Sequence, residues 1–277
     1  MKYCYTLIFM IVLSGPVKQK CLGCAHRKKI NPDTLVRPDL KKIYDEYNVD
    51  GMFVLYDLKT KKHIFYNPAF YRQPMSPAST FNILLTLIAL QEGVVKDEKA
   101  LLKPYNIPLE RAFKNNVDSC FIDLSLLIGE KKIKYWLDKI NYGNKSTSGE
   151  NNRFWINGYL QVTAEQQLDF IEKFYYEKLP FSKQAYKVVK KLMHEDEFKE
   201  LAVYGKRGSN KLYWRDKYTG KLYNEDKYTG WFVGYIETTN STYFFTNYIE
   251  SPDLNHPKLV SAQKEIAFKI IKALNIK

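Results

Sequence analysis

Segments patterned for strands lie near both ends of this chain and segments patterned for helices lie between them, an order that few folds accommodate. Gly51-Met52-Phe53-Val54-Leu55-Tyr56-Asp57 is apolar, β-branched and aromatic. Lys59-Thr60-Lys61-Lys62 then turns the chain into His63-Ile64-Phe65-Tyr66, which predicts a hairpin. A second hairpin is predicted where Trp231 to Ile236 and Thr242 to Tyr248 flank Thr238-Thr239-Asn240-Ser241. Helical spacing runs through Ile83 to Leu90, Asp118 to Ile128, Lys131 to Ile140, Ala164 to Tyr176 and Lys183 to Met193. An amphipathic stretch at Leu40 to Tyr47 predicts a first helix. Ser261 to Leu274, with Ile266, Ile270 and Leu274 on one stripe, predicts a last one. This order does not fit alternating βαβ units. It predicts an α+β fold: an antiparallel sheet with strands from both chain ends, flanked by helices and carrying an inserted helical region. Asp216-Lys217-Tyr218-Thr219-Gly220 recurs as Asp226-Lys227-Tyr228-Thr229-Gly230, too short for a repeat architecture and read as a duplicated loop or hairpin.

The 277 residues, 45% hydrophobic and 15% aromatic, suffice for one large core. Lys+Arg 43 against Asp+Glu 30 gives a formal charge of +13, but the lysines are spread along the chain and no nucleic-acid motif accompanies them. We read the excess as solvated surface, compatible with an anionic substrate or an anionic membrane surface. Residues 1–24 have the form of an export signal: Lys2 supplies a basic start and Tyr5 to Leu13 is almost wholly apolar, too short to span a membrane stably. Leu22-Gly23-Cys24 could be a lipoprotein site with Cys24 as lipid anchor, and ordinary cleavage is equally open. The expected division is a signal at 1–24, a polar tether at 25–37 and one domain at 38–277, in the periplasm or cell envelope. Cys21 and Cys24 form a C-x-x-C, but no second pair or histidine cluster completes a metal site, so neither a metal nor a cofactor is expected. An exported chain with so few cysteines must rest on its core and not on disulfides.

Ser79-Thr80-Phe81-Asn82 follows Pro77-Ala78 and opens the apolar run Ile83 to Leu90. Ser79 is therefore expected at a helix N-terminus, where free N–H groups and the positive end of the dipole favour negative charge on oxygen. In Ser-x-x-Lys enzymes the proton acceptor lies one helical turn further on. Here that position is Asn82, whose neutral amide cannot take a proton from a hydroxyl.

With Pro-Ala-Ser-Thr-Phe at 77 to 81, the chain resembles the class D, oxacillinase-type, serine β-lactamases from about Gly51 onward. The resemblance extends through Leu87 to Val95, Tyr142-Gly143-Asn144, Phe154 to Gly158, Lys178 to Ser182 and Gly230 to Glu237. It implies a serine β-lactamase/transpeptidase-like fold, a β-lactam or peptidoglycan-like small molecule as ligand, and a serine that attacks the lactam carbonyl to form an acyl-enzyme. In that family a carbamylated lysine one turn along activates both the serine and the deacylating water, and position 82 departs from this. The Ser-x-Val motif is best matched by Asn116-Val117-Asp118, with Ser119-Cys120-Phe121 the shifted alternative, so a hydroxyl relay is absent at Asn116.

The Lys-Thr-Gly motif is best matched by Lys206-Arg207-Gly208, followed by Ser209. Lys206 would supply positive potential, and the strand would supply one oxyanion N–H beside that of Ser79. Arg207 replaces a threonine that helps hold the substrate carboxylate and could bind or block it, while Arg215 is a candidate for a later carboxylate-binding arginine. Trp155 steadies the carbamate in relatives and here is equally a packing residue. Asp118 and His194 are titratable, but nothing in the sequence places either beside Ser79.

Three readings follow: a slow acylating hydrolase with impaired turnover, a non-catalytic penicillin-binding or sensor-like envelope module, and a lactamase with a rebuilt base.

Overall fold

A computed structural model describes residues 34–149, 152–196, 198, 201–215, 222–253 and 258–276, apart from the side chains of 212–226. The signal and most of the tether lie outside these residues, as do Cys21, Cys24 and the first Asp-Lys-Tyr-Thr-Gly copy. The end of the expected tether is drawn into the fold, since β1 (Thr34–Val36) joins the sheet as an edge strand.

A short 3-10 turn leads into α1 (Lys41–Asp45), and the predicted first hairpin is β2 (Asp50–Asp57) with β3 (Lys62–Tyr66). After another 3-10 turn at Pro68–Phe70, a third, Ala78–Phe81, runs into α2 (Asn82–Gln91). A small ribbon, β4 (Leu101–Leu102) with β5 (Ile107–Pro108), precedes α3 (Leu109–Asn115), which the periodicity does not announce. Then come α4 (Asp118–Ile128), α5 (Glu130–Ile140), α6 (Ala164–Tyr175) and α7 (Lys183–Met193). Two of these starts are capped by side chains: Thr163 and Gln166 form a capping box at α6, and Ser182 accepts from the Ala185 amide at α7. The chain closes with β6 (His194–Glu195), β7 (Ala202–Arg215), β8 (Leu222–Glu237), β9 (Thr242–Ser251) and α8 (Leu259–Ala273).

The sheet has seven strands in the order β1-β3-β2-β9-β8-β7-β6, antiparallel except for the β1–β3 edge. Strands from the two chain ends meet at β2 and β9, as the sequence order requires. Both faces of the sheet are covered, which is why its strands read as continuous apolar runs and not as alternating ones. Successive side chains point to opposite faces. Met52 and Val54 of β2, with Trp231, Val233 and Tyr235 of β8, enter the core shared with the helical region. Phe53, Leu55, Phe232 and Ile236 enter a second core closed by α1 and α8. Helix α2 is buried on every side from Asn82 to Ala89, and apart from Asn82 and Thr86 this stretch is apolar all round. The second Asp-Lys-Tyr-Thr-Gly copy lies within β8.

Candidate active site

Ser79 stands in the 3-10 turn before α2, nearly buried, behind an alanine whose backbone is left-handed: Ala78 has φ 48. A non-glycine residue in that region stores backbone strain and holds only where its surroundings fix it. Three hydrogen bonds help to fix the turn. Thr80 Oγ1 donates to Pro77 O at 2.7 Å and accepts from Gln167 Nε2 at 2.8 Å, and Trp231 Nε1 donates to Ser76 O at 2.9 Å.

Strand β7 runs directly against this turn. A Cβ on Gly208 would lie 2.7 Å from the Thr80 amide nitrogen and 2.8 Å from that of Ser79, so only glycine permits the approach. Beyond Tyr204, β7 has no strand partner on its outer edge among the described residues, because β6 pairs only with Val203 and Tyr204. An open backbone edge thus runs beside Ser79.

Helix α3 ends on Asn116 in the left-handed conformation, a position where asparagine is tolerated. The half-buried Val117 follows, and α4 begins at Asp118. Asn116 Nδ2 donates to Arg207 O at 3.3 Å, and its Oδ1 accepts a hydrogen bond from Lys206 Nζ, which ties this corner to β7. The same reversal brings Asp118 to the serine turn, where Ser79 Oγ donates to Asp118 Oδ1 at 3.2 Å.

Lys206 is buried, donates to Phe113 O at 2.6 Å, and lies over the Phe113 ring. Burial, aided by the Arg207 charge, pulls its ammonium down to about 7. Asp118 keeps an exposed face, but desolvation of its carboxyl against the Ser79 turn raises it from the ordinary aspartate value. The Ser79 hydroxyl and the Lys206 and Arg153 charges oppose that rise.

Not every residue singled out from the sequence converges on Ser79. Asn82 is fully buried, and neither of its amide atoms has a protein partner. Trp155 packs 5.4 Å from the Phe81 ring, which fits its packing role. Arg207 is turned towards α8, where Nη1 donates to Val260 O at 3.1 Å, and Ser209 reaches Tyr228 on β8. Strand alternation is the reason: Lys206, Gly208 and Asn210 point one way, and Arg207 and Ser209 the other. Arg215 ends β7, and its side chain lies outside the described residues. His194 is bonded to Asp196 at 2.9 Å and stacks edgewise on Tyr204, with no bond to the nucleophile. No group of metal ligands occurs among the described residues.

A strained serine turn is thus wedged against an open strand edge that also carries a buried lysine, the arrangement of a serine-hydrolase-like fold. The pattern of the penicillin-binding protein transpeptidase domain matches residues 40–272, and the chain belongs to that family. Within the family its homologues include class D β-lactamases. The probable β-lactamase YbxI of Bacillus subtilis (strain 168) is 29% identical, the alignment covering 90% of this chain and 91% of that protein. A class D β-lactamase structure from Sebaldella termitidis superposes with TM-score 0.75 at 30% identity, over 88% of this chain and 98% of the other. The C-terminal domain of the Bacillus licheniformis BlaR penicillin receptor gives TM-score 0.74 at 25% identity, over 88% and 97% respectively.

Proposed function

We propose that the chain is a β-lactam-recognising serine hydrolase, acylated at Ser79 and slowed in turnover by Asn82. The observation that carries this is the contact of Gly208 with the Ser79 turn. It sets the nucleophile beside the free edge of β7, where the amides of Ser79 and of the strand can meet a developing oxyanion and buried Lys206 adds positive potential. A lactam amide can lie along such an edge as an added strand would. Arg207 and Arg215 remain candidates for the substrate carboxylate. For Arg207 this requires release from Val260.

The test is intact-mass analysis after incubation with benzylpenicillin, with peptide mapping, alongside nitrocefin turnover. A penicilloyl adduct on Ser79 that forms in minutes and decays over hours is expected. No adduct after prolonged incubation would sink the reading. Asn82→Lys then separates a disabled site from a rebuilt one: turnover rising by about 10²-fold or more marks Asn82 as the block.

The likeness to the BlaR receptor domain favours a second reading, a sensor or binding module. That reading predicts ligand-induced thermal stabilisation that persists in Ser79→Ala. The leader read at residues 1–24 supports export to the envelope, with anchoring through Cys24 decided by whether the mature N-terminus carries lipid on mass spectrometry. Among the described residues, no helix is long and apolar enough to cross a membrane.

A further inference from the structure

We infer that Asp118 is the proton acceptor of Ser79, doing from the start of α4 what Asn82 cannot do from α2. The inference rests on the proposed function for its acyl donor, but not for its geometry. Of the groups able to hold a proton near the turn, Asp118 is the one whose oxygen receives the Ser79 hydroxyl, at 3.2 Å. Lys206 Nζ is engaged by Phe113 O and the Asn116 side chain. His194 is committed to Asp196. Asn82 has no basic atom, and its buried amide makes no hydrogen bond to the serine.

The alternative is that Asp118 is only an acidic residue in the first turn of α4, where any carboxylate favours the helix dipole. That account explains neither the bond to Ser79 nor the two lines of support behind the corner. Asn116 is pinned to both Arg207 and Lys206, so the carboxylate is presented from a braced reversal. Its surroundings also suit a base. Three groups face it: the Ser79 hydroxyl from the 3-10 turn, the Lys206 ammonium from β7 and Arg153 from the segment preceding Trp155. Asp118 is partly open to solvent, yet desolvation on its inner side outweighs them and leaves a carboxylate more basic than an ordinary aspartate.

In the step proposed, the Ser79 Oγ–H proton passes to Asp118 Oδ1 as Oγ bonds to the lactam carbonyl carbon. The carbonyl π pair moves onto oxygen. When it returns, the C–N bond breaks and the ring nitrogen takes the proton from Asp118. The products are an acyl-serine, a ring-opened amine and an ionised Asp118, with nothing drawn from outside.

The test compares wild type with Asp118→Asn, which keeps the size and the helix-start preference of the side chain and removes its basicity. Single-turnover acylation by benzylpenicillin and labelling by a small fluorophosphonate are both followed by intact mass, with melting temperature as a check on folding. Loss of 10²- to 10⁴-fold in both rates at unchanged melting temperature is expected, the usual range for a positioned base. Equal rates in the two proteins overturn the inference. The wild-type pH profile is an independent arm. An acidic limb above the ordinary aspartate range supports Asp118, whereas a limb near 7, the value for Lys206, assigns the role to the lysine and overturns the inference. Fluorophosphonate labelling that depends on Asp118 without any penicilloyl adduct would leave the base in place and sink the β-lactam reading alone. No labelling of wild type by either reagent overturns both.

Discussion

At the scale of single residues, Asn82 and Thr86 lie one turn apart on α2, buried, with no protein partner for the Asn82 amide or the Thr86 hydroxyl. A buried polar group without a hydrogen bond costs about 1 to 3 kcal/mol, whereas an apolar group of the same shape does not. Thr86→Val should therefore raise the stability measured by urea unfolding by about 1 kcal/mol, and Asn82→Leu by about 2 kcal/mol. A loss of stability in either variant would mean that these atoms are paired in solution. The sequence makes Asn82 legible as a departure but is silent on its isolation. It also leaves Asp118 as one titratable residue among many. The Ser79–Asp118 bond spans 39 positions, and it depends on α3 ending at Asn116 in a conformation that no neighbouring turn signal marks.

At the scale of elements, the contact of β7 with the serine turn is the sensitive joint. Gly208→Ala places a methyl carbon within 3 Å of two backbone nitrogens that cannot step aside like a flexible side chain. Overpacking of this kind costs about 1 to 3 kcal/mol, and here it also separates the nucleophile from the strand edge. The expected outcome is a lower melting temperature together with loss of the Ser79 adduct on mass analysis. A variant acylated at the wild-type rate would show that the approach is not needed. Most elements are readable from periodicity, and the bounds of α4 and α7 agree with those predicted. The exceptions have physical causes. Helix α3 spans only Leu109–Asn115 with Pro108 before it, too short to establish a period. The edge strand β1 is defined by pairing with β3, a long-range partner that its own three residues do not encode.

At the scale of the whole molecule, Lys206 links stability to pH. Within the fold it loses its proton near 7, while its ordinary value is 10.5. Between those values the unfolded chain holds one more proton, so stability rises with pH across the interval; below about 7 both states are charged and the full burial cost is present. Urea midpoints should climb between pH 7 and 10 by more in wild type than in Lys206→Met. The difference should amount to a few kcal/mol, because each tenfold loss of proton affinity on folding is worth about 1.4 kcal/mol. Parallel pH profiles for the two proteins would show that the lysine remains charged in the fold.

The sheet that joins both chain ends has a further consequence. Asp57 and Ser241 are hydrogen-bonded across 184 positions, and β2 lies between β3 and β9. A chain made from its N-terminus therefore releases β2, β3 and the serine turn long before β7, β8 and β9 exist. Pairing over such distances is slow, because loop closure comes before the contacts that reward it. Until it happens, Ser79 lacks the strand edge that would line up an acyl donor. If Ser79 is the nucleophile proposed above, the nascent chain carries it through synthesis unarmed, and reactivity arrives only with the last strands.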